Sequence, residues 1–148
     1  MGRLTSGTLY RLIPNWRSHW DYEHGHAKEK AFRKDGDDGG VSMLQAERIT
    51  IAQIQHILNG LGQADFGICR FDASEVLNPP PLPPHVYKPK KRDLYIEPRP
   101  EPPWGDAHFV LMGATGSVHE WLYRLAKTGI EKPPGQWTEE VPRDEFRK

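Results

Sequence analysis

Residues 78–103 read NPPPLPPHVYKPKKRDLYIEPRPEPP and hold ten of the fourteen prolines in the chain. Proline lacks a backbone N–H, so this stretch cannot form a helix or lie inside a sheet. It is either a linker between two domains or a long excursion from one. The piece after it, residues 104–148, has 45 residues and one clear helical pattern, and a core that small rarely stands alone.

The chain is therefore predicted to form one domain over residues 1–131, with 78–103 as a proline-rich surface excursion. Residues 132–148 are predicted to be a polar tail. In all, 148 residues with 36% hydrophobic content suit one domain with a modest core.

Charge and cysteine content narrow the classes of function. Twenty basic residues balance twenty acidic ones, so there is no global attraction to nucleic acid or to anionic membrane. No apolar run approaches the ~20 residues of a membrane span. The single Cys69 fits a reducing compartment. We expect a soluble, cytoplasmic protein.

Two helices are well marked. Thr50 and Gln53 form a capping-box pattern ahead of an apolar stripe that ends near Gly60. Ser117 and Glu120 repeat the pattern ahead of a second stripe that Gly129 terminates.

Five segments, shorter than the helices, are predicted to be strands: residues 8–13, 41–44, 66–71, 93–96 and 107–112. The segment 93–96 lies inside the proline-rich stretch and would therefore lie at a sheet edge. The predicted class is α+β (or mixed α/β), with a small sheet of about four to five short strands covered by two main helices.

Two polar loops suggest metal chemistry. The segment HWDYEHGH carries His19, Asp21, His24 and His26, and an H-x-H pair can supply two metal ligands. The acidic segment at 35–38 lacks the downstream Glu of a calcium loop. We interpret both as solvated loops and predict no metal site, leaving the histidine loop open to test.

The proline-rich segment also carries features of a binding surface. Lys88–Arg92 lies between Tyr87 and Tyr95, and basic residues among aromatics can hold a nucleic-acid strand. Polyproline can also dock into an aromatic groove of another protein. A protein partner is favoured, and nucleic acid is not. The residues assigned to binding are Arg70, Tyr87, Tyr95 and Trp104.

Four polar residues lie within predicted strands: Arg11, Ser42, Arg70 and His108. A polar side chain that points into a core is hydrogen-bonded or functional. Arg11, Ser42 and His108 are the catalytic candidates, if a reaction is catalysed, and all four would then surround one cleft.

The order of Arg11, Ser42 and a late Glu139 or Glu140 resembles the R-S-E class of the ADP-ribosyltransferase fold. That resemblance implies that NAD is bound, with the Arg on its phosphate and the Glu on its ribose. The sequence departs from the class because it lacks a Ser-Thr-Ser triplet. Apart from this likeness, the residues leave the cofactor unknown.

Two functions remain. The first is a small non-catalytic interaction protein, an accessory, inhibitor or immunity-type partner from a bacterial or phage operon. It would bind another protein through the proline-rich segment and through exposed Trp16, Trp20 and Trp104. The alternative is a small nucleotide-handling enzyme, of ADP-ribosyltransferase-like or toxin-nuclease type, that uses Arg11, Ser42 and His108.

Overall fold

A computed structural model describes residues 2–33, 40–80, 94–113 and 116–135, apart from the side chains of 116 and 117. The strands in these ranges are β1 Thr8–Ile13, β2 Trp20–Asp21, β3 His26–Ala27, β4 Val41–Gln45, β5 Gly67–Asp72, β6 Tyr95–Pro98, β7 His108–Met112 and β8 Ile130–Lys132. The helices are α1 Ile51–Gly60, α2 Ala73–Val76 and α3 Gly116–Ala126, with a 3-10 helix at Glu29–Phe32.

Six strands form one sheet in the order β6-β7-β4-β1-β5-β8, and β2 pairs with β3 in a separate hairpin. Every pairing is antiparallel. The prediction of a small sheet covered by two main helices is therefore wrong, because the fold is mostly sheet and its helices are short. Strands β2, β3 and β8 have only two or three residues each, too few to show the alternation that marks a strand.

Alternation along the strands creates two apolar layers, one on each side of the sheet. Leu9 and Ile13 of β1 face a core that also contains residues of the 3-10 helix, the β2–β3 hairpin and α3. Tyr10 and Leu12 face the opposite layer, which contains Ile54 and Leu58 of α1. The first layer is called the α3 face below, and the second the α1 face.

The start of α1 forms as predicted. The Thr50 hydroxyl accepts from the Gln53 N–H at 3.0 Å, and the Gln53 side-chain oxygen accepts from the Thr50 N–H at 2.8 Å. Strand β1 has the predicted bounds, and the other predicted strands and both helices are shifted by at most two residues. The predicted cap at Ser117 falls on a side chain outside the described set.

The end of the proline-rich segment belongs to the sheet. Strand β6 is an edge strand, as predicted, and Ile96 within it is fully buried. The Leu4 N–H donates to the Ile96 carbonyl at 2.8 Å, so the N-terminal segment covers part of this edge. Residues 81–93 lie outside the described ranges.

Strand β8 crosses the predicted start of the polar tail. It runs to Lys132, and Pro134 beyond it is buried. Gly129 makes the strand possible, because a Cβ there would lie 2.3 Å from the Arg70 carbonyl oxygen. Without that atom, the Arg70 N–H reaches the Gly129 carbonyl at 2.6 Å.

Among the described residues, no helix has the length and apolar character that crossing a membrane would require.

Candidate functional site

His108 begins β7 and points to the α1 face of the sheet. It is only 3% exposed. Its Nδ1 lies 2.7 Å from the Arg99 carbonyl oxygen, which can only accept, so Nδ1 carries the proton and donates. Its Nε2 then lies 3.6 Å from the Glu101 carboxylate. Nδ1 therefore stabilises the fold through a main-chain hydrogen bond, and Nε2 faces a carboxylate.

A cleft of about 130 Å³ opens beside His108. Residues from β1, β4, β7 and the loop before β7 line it: Tyr10, Arg11, Leu12, Ser42, Met43, Leu44, Glu101, Trp104 and His108. Pairing of Ser42 with Val110 and of Leu44 with His108 places Ser42 diagonally across from His108. All three predicted catalytic residues are in the lining of this cleft, with the side chains of Ser42 and His108 on its face of the sheet, and Arg70 is not part of the lining.

Arg11 contributes to this cleft, but its guanidinium has main-chain partners. Its Nε donates to the Ala31 carbonyl at 3.0 Å, and Nη1 donates to the Ser42 carbonyl at 2.9 Å. Strand β1 pairs with β4 only at Leu9 and Tyr10. The Arg11 guanidinium therefore donates its hydrogen bond to β4 beyond the last paired residues of the two strands. Its side chain leaves β1 on the α3 face, opposite to those of Ser42 and His108. Through these hydrogen bonds, Arg11 links the 3-10 helix and β4 to β1.

Arg70 and Tyr10 are paired neighbours on β5 and β1. Arg70 is half exposed and forms an ion pair with Glu131. Burial raises the pKa of the Tyr10 hydroxyl, and the nearby Glu131 raises it further. Tyr10, a lining residue of the cleft, therefore keeps a neutral hydroxyl. Sequence reasoning missed Tyr10, although its alternation with Leu9 and Arg11 was the available signal.

A second depression adjoins the cleft along α1. It has a volume of about 510 Å³, and we call it the α1 groove. Its lining consists of Arg48, Ile49, Ala52, Gln53, His56, Ile57 and Trp104. Trp104 borders both the groove and the cleft. Its position follows from a tight turn in which the N–H groups of Trp104 and Gly105 bond to the Glu101 carbonyl at 2.9 and 2.8 Å.

No protein-family model, curated protein or solved structure matches this chain.

The other predicted binding residues are spread over the molecule. Tyr95 lies on edge strand β6, with the Arg3 guanidinium 3.8 Å from its ring centroid. Trp16 is 44% exposed, as expected. The prediction that Trp20 is exposed is wrong, because it is 4% exposed and packs in the α3-face core. Its place on the short strand β2 was not visible in the sequence.

Several predicted residues lie outside the described ranges. They are the acidic segment 35–38, Tyr87, Lys88–Arg92, and Glu139 and Glu140. The basic patch, whose favoured partner is a protein and not a nucleic acid, and the glutamate of the R-S-E resemblance therefore stay predictions.

Cys69 lies on β5 opposite Arg11 and is 1% exposed. Burial raises the pKa of its thiol to about 12, and the Arg11 charge opposes that shift only in part. Because the thiolate is the nucleophile, Cys69 serves as a small core residue.

The histidine loop forms the β2–β3 hairpin. Asp21, His24 and His26 offer ligand atoms that all lie within 4.8 Å of one another. Hydrogen bonds from the His24 side chain and main chain lower the pKa of the Asp21 carboxyl to about 2. His19 is not one of this cluster; its Nδ1 bonds to the Ser18 hydroxyl at 2.8 Å.

Proposed function

We propose that this protein is a small non-catalytic interaction protein that binds a segment of another protein in the α1 groove. We assign it to the accessory, inhibitor or immunity-type partners of a bacterial or phage operon, acting in the cytoplasm. The observation that carries the proposal is the α1 groove itself, which is larger than the polar cleft and meets it at Trp104.

The groove has the composition of a peptide-binding site. Ile49, Ile57 and Trp104 supply apolar surface, and aromatic walls are typical of binding hot spots. Among the described residues of the lining, Arg48 alone is formally charged, and it is exposed. We therefore propose that the occupant is an apolar side chain flanked by an acidic residue, which Arg48 would attract.

The polar residues of the adjoining cleft suit binding better than catalysis. The Arg11 guanidinium bonds to two main-chain carbonyls, and His108 uses Nδ1 in the same way. A side chain that holds the fold through these bonds cannot leave them without exposing unpaired carbonyls. Glu101, by contrast, is half exposed at the cleft, where it can accept a hydrogen bond from a bound main chain.

Selection from a random peptide library against the immobilised protein tests this proposal. We expect enriched peptides to share an apolar residue next to an acidic one. Ala52→Glu should abolish their capture, because it places bulk and negative charge in the groove. Glutamate suits that position, two residues after the Thr50 cap, since it favours the positive end of the helix dipole.

Leu61→Ala is the matched control. Leu61 is an exposed apolar residue at the end of the same helix and does not line the groove. Its replacement should leave peptide capture unchanged. Selection that yields no shared motif, or peptides captured equally by Ala52→Glu, would refute the proposal.

The alternative is a small nucleotide-handling enzyme, and one observation favours it. Arg11, Ser42 and His108 all line the same cleft, where His108 could exchange a proton through Nε2 with Glu101 nearby. NAD hydrolysis and RNA cleavage by purified protein test this alternative. It requires an activity that His108→Asn abolishes, and it fails if the folded wild type shows neither activity.

A further inference from the structure

The β2–β3 hairpin gathers two imidazoles and a carboxylate at one point of the surface. The ligand atoms of Asp21, His24 and His26 all lie within 4.8 Å of one another. We propose that these three residues bind one divalent transition-metal ion, with Zn²⁺ as the natural occupant. This site is separate from the α1 groove, because none of the three residues lines the groove or the cleft.

Asp21 is held by the turn that follows it. Its Oδ1 accepts from the N–H groups of Glu23 and His24 at 3.0 and 3.1 Å. Gly25 completes the turn with a φ of +75°, a conformation that side chains disfavour. These bonds leave Oδ2 directed at His24, whose Nδ1 lies 2.8 Å away. A metal ion would replace the proton shared by that nitrogen and oxygen.

His26 is oriented by a second bond. Its Nδ1 lies 3.0 Å from the Ala27 carbonyl oxygen, so Nδ1 donates and Nε2 keeps its lone pair. A backbone carbonyl that fixes the tautomer in this way is the usual outer partner of a metal-bound histidine. The ring also packs edge-on against Tyr123 of α3, with centroids 5.6 Å apart. The ligand that carries Nε2 is therefore anchored to the body of the protein.

Geometry and donor type favour zinc. Bond lengths of about 2.0–2.1 Å in a tetrahedral site place donor atoms about 3.3 Å apart, and donors already within 4.8 Å need only small side-chain rotations to reach this separation. Two nitrogen donors disfavour Ca²⁺ and Mg²⁺, which prefer oxygen. Three protein ligands leave the fourth position to water or to a donor from outside.

Titration of tag-free protein with Zn²⁺ against a chromophoric chelator tests the site. We expect saturable binding of one ion per chain. His24→Ala and Asp21→Asn should each weaken it more than tenfold. His24 has a 63% exposed side chain, so its loss should not disturb the fold. Asparagine at 21 keeps an oxygen that can accept the two turn bonds. Co²⁺ should give the intense visible bands of a tetrahedral or five-coordinate site in the wild type and not in these two variants.

His19→Ala is the matched control, because it removes a histidine from the same loop but outside the cluster. It should bind Zn²⁺ with wild-type affinity. Heating should also show a melting temperature that rises with Zn²⁺ in the wild type and in His19→Ala, but not in His24→Ala, since the ion would bind only the folded hairpin. Absence of saturable binding, or equal binding by His24→Ala and the wild type, would overturn the proposal.

Discussion

His108 and Arg99 are joined by two reciprocal hydrogen bonds. The Arg99 N–H donates to the His108 carbonyl at 3.0 Å, and the His108 Nδ1 donates to the Arg99 carbonyl at 2.7 Å. The pair closes the loop that carries Glu101 and Trp104 between β6 and β7. The wall shared by the cleft and the α1 groove therefore depends on one buried histidine.

Replacing His108 should lower the free energy of unfolding, and the loss should be larger when the new side chain has no hydrogen-bond donor for the Arg99 carbonyl. His108→Leu leaves the Arg99 carbonyl without its side-chain partner in a buried setting, which costs about 1–3 kcal/mol. His108→Asn offers an amide N–H near the position of Nδ1 and should lose less. Denaturant titration of both variants measures the difference. Equal stabilities of wild type and His108→Leu would show that the bond does not support the loop.

Arg11 and Arg70, on neighbouring strands, should differ in how much they contribute to the free energy of unfolding. Arg11→Met removes a buried guanidinium that satisfies the carbonyls of Ala31 and Ser42, and we expect a loss of about 3 kcal/mol. Arg70→Met removes a half-exposed ion pair with Glu131 and should cost at most about 1 kcal/mol. Arg11→Lys should not rescue, since one ammonium cannot reproduce the planar guanidinium. The stabilities of all three variants are compared from their denaturant midpoints of unfolding, provided that the slope of the free energy of unfolding against denaturant concentration is unchanged. Similar losses for Arg11→Met and Arg70→Met would contradict the assigned role of Arg11.

Cys69 should be unreactive in the folded protein and should make stability fall at high pH. Burial raises its thiol pKa from 9.0 to about 12, so the folded state keeps a proton that the unfolded state releases above about pH 9. Stability should decline from pH 9 toward pH 12, and Cys69→Ala should reduce that decline. A thiol reagent at pH 8 should label Cys69 in denaturant and not in buffer. Rapid labelling of the native protein would contradict its burial.

The segment 81–93 should be replaceable without loss of the fold. A Gly/Ser linker of equal length keeps β6 and the Arg99 carbonyl that holds His108. A deletion of 79–103 would remove both and should unfold the sheet. Circular dichroism and melting temperature compare the two variants. If both unfold, the segment itself contributes to the core.

Features set by local chemistry could be predicted from the sequence. Strand β1 and the capping box of α1 depend on neighbouring residues such as Thr50 and Gln53, and both form as predicted. The shared face of Ser42 and His108 depends on the register between β4 and β7, which alternation within each strand does not give. Strand order depends on contacts distant in sequence, and the three shortest strands have too few residues to show alternation. The α1 groove could not be foreseen either, because the turn that presents Trp104 meets α1 only once the sheet has assembled.

The α1 groove is the proposed site at which the partner binds. The direct measurement is the dissociation constant of one selected peptide, by calorimetry, for the wild type, Ala52→Glu and Leu61→Ala. We predict binding at least tenfold weaker for Ala52→Glu and unchanged for Leu61→Ala. Equal affinity of the wild type and of correctly folded Ala52→Glu would show that the groove does not bind the partner.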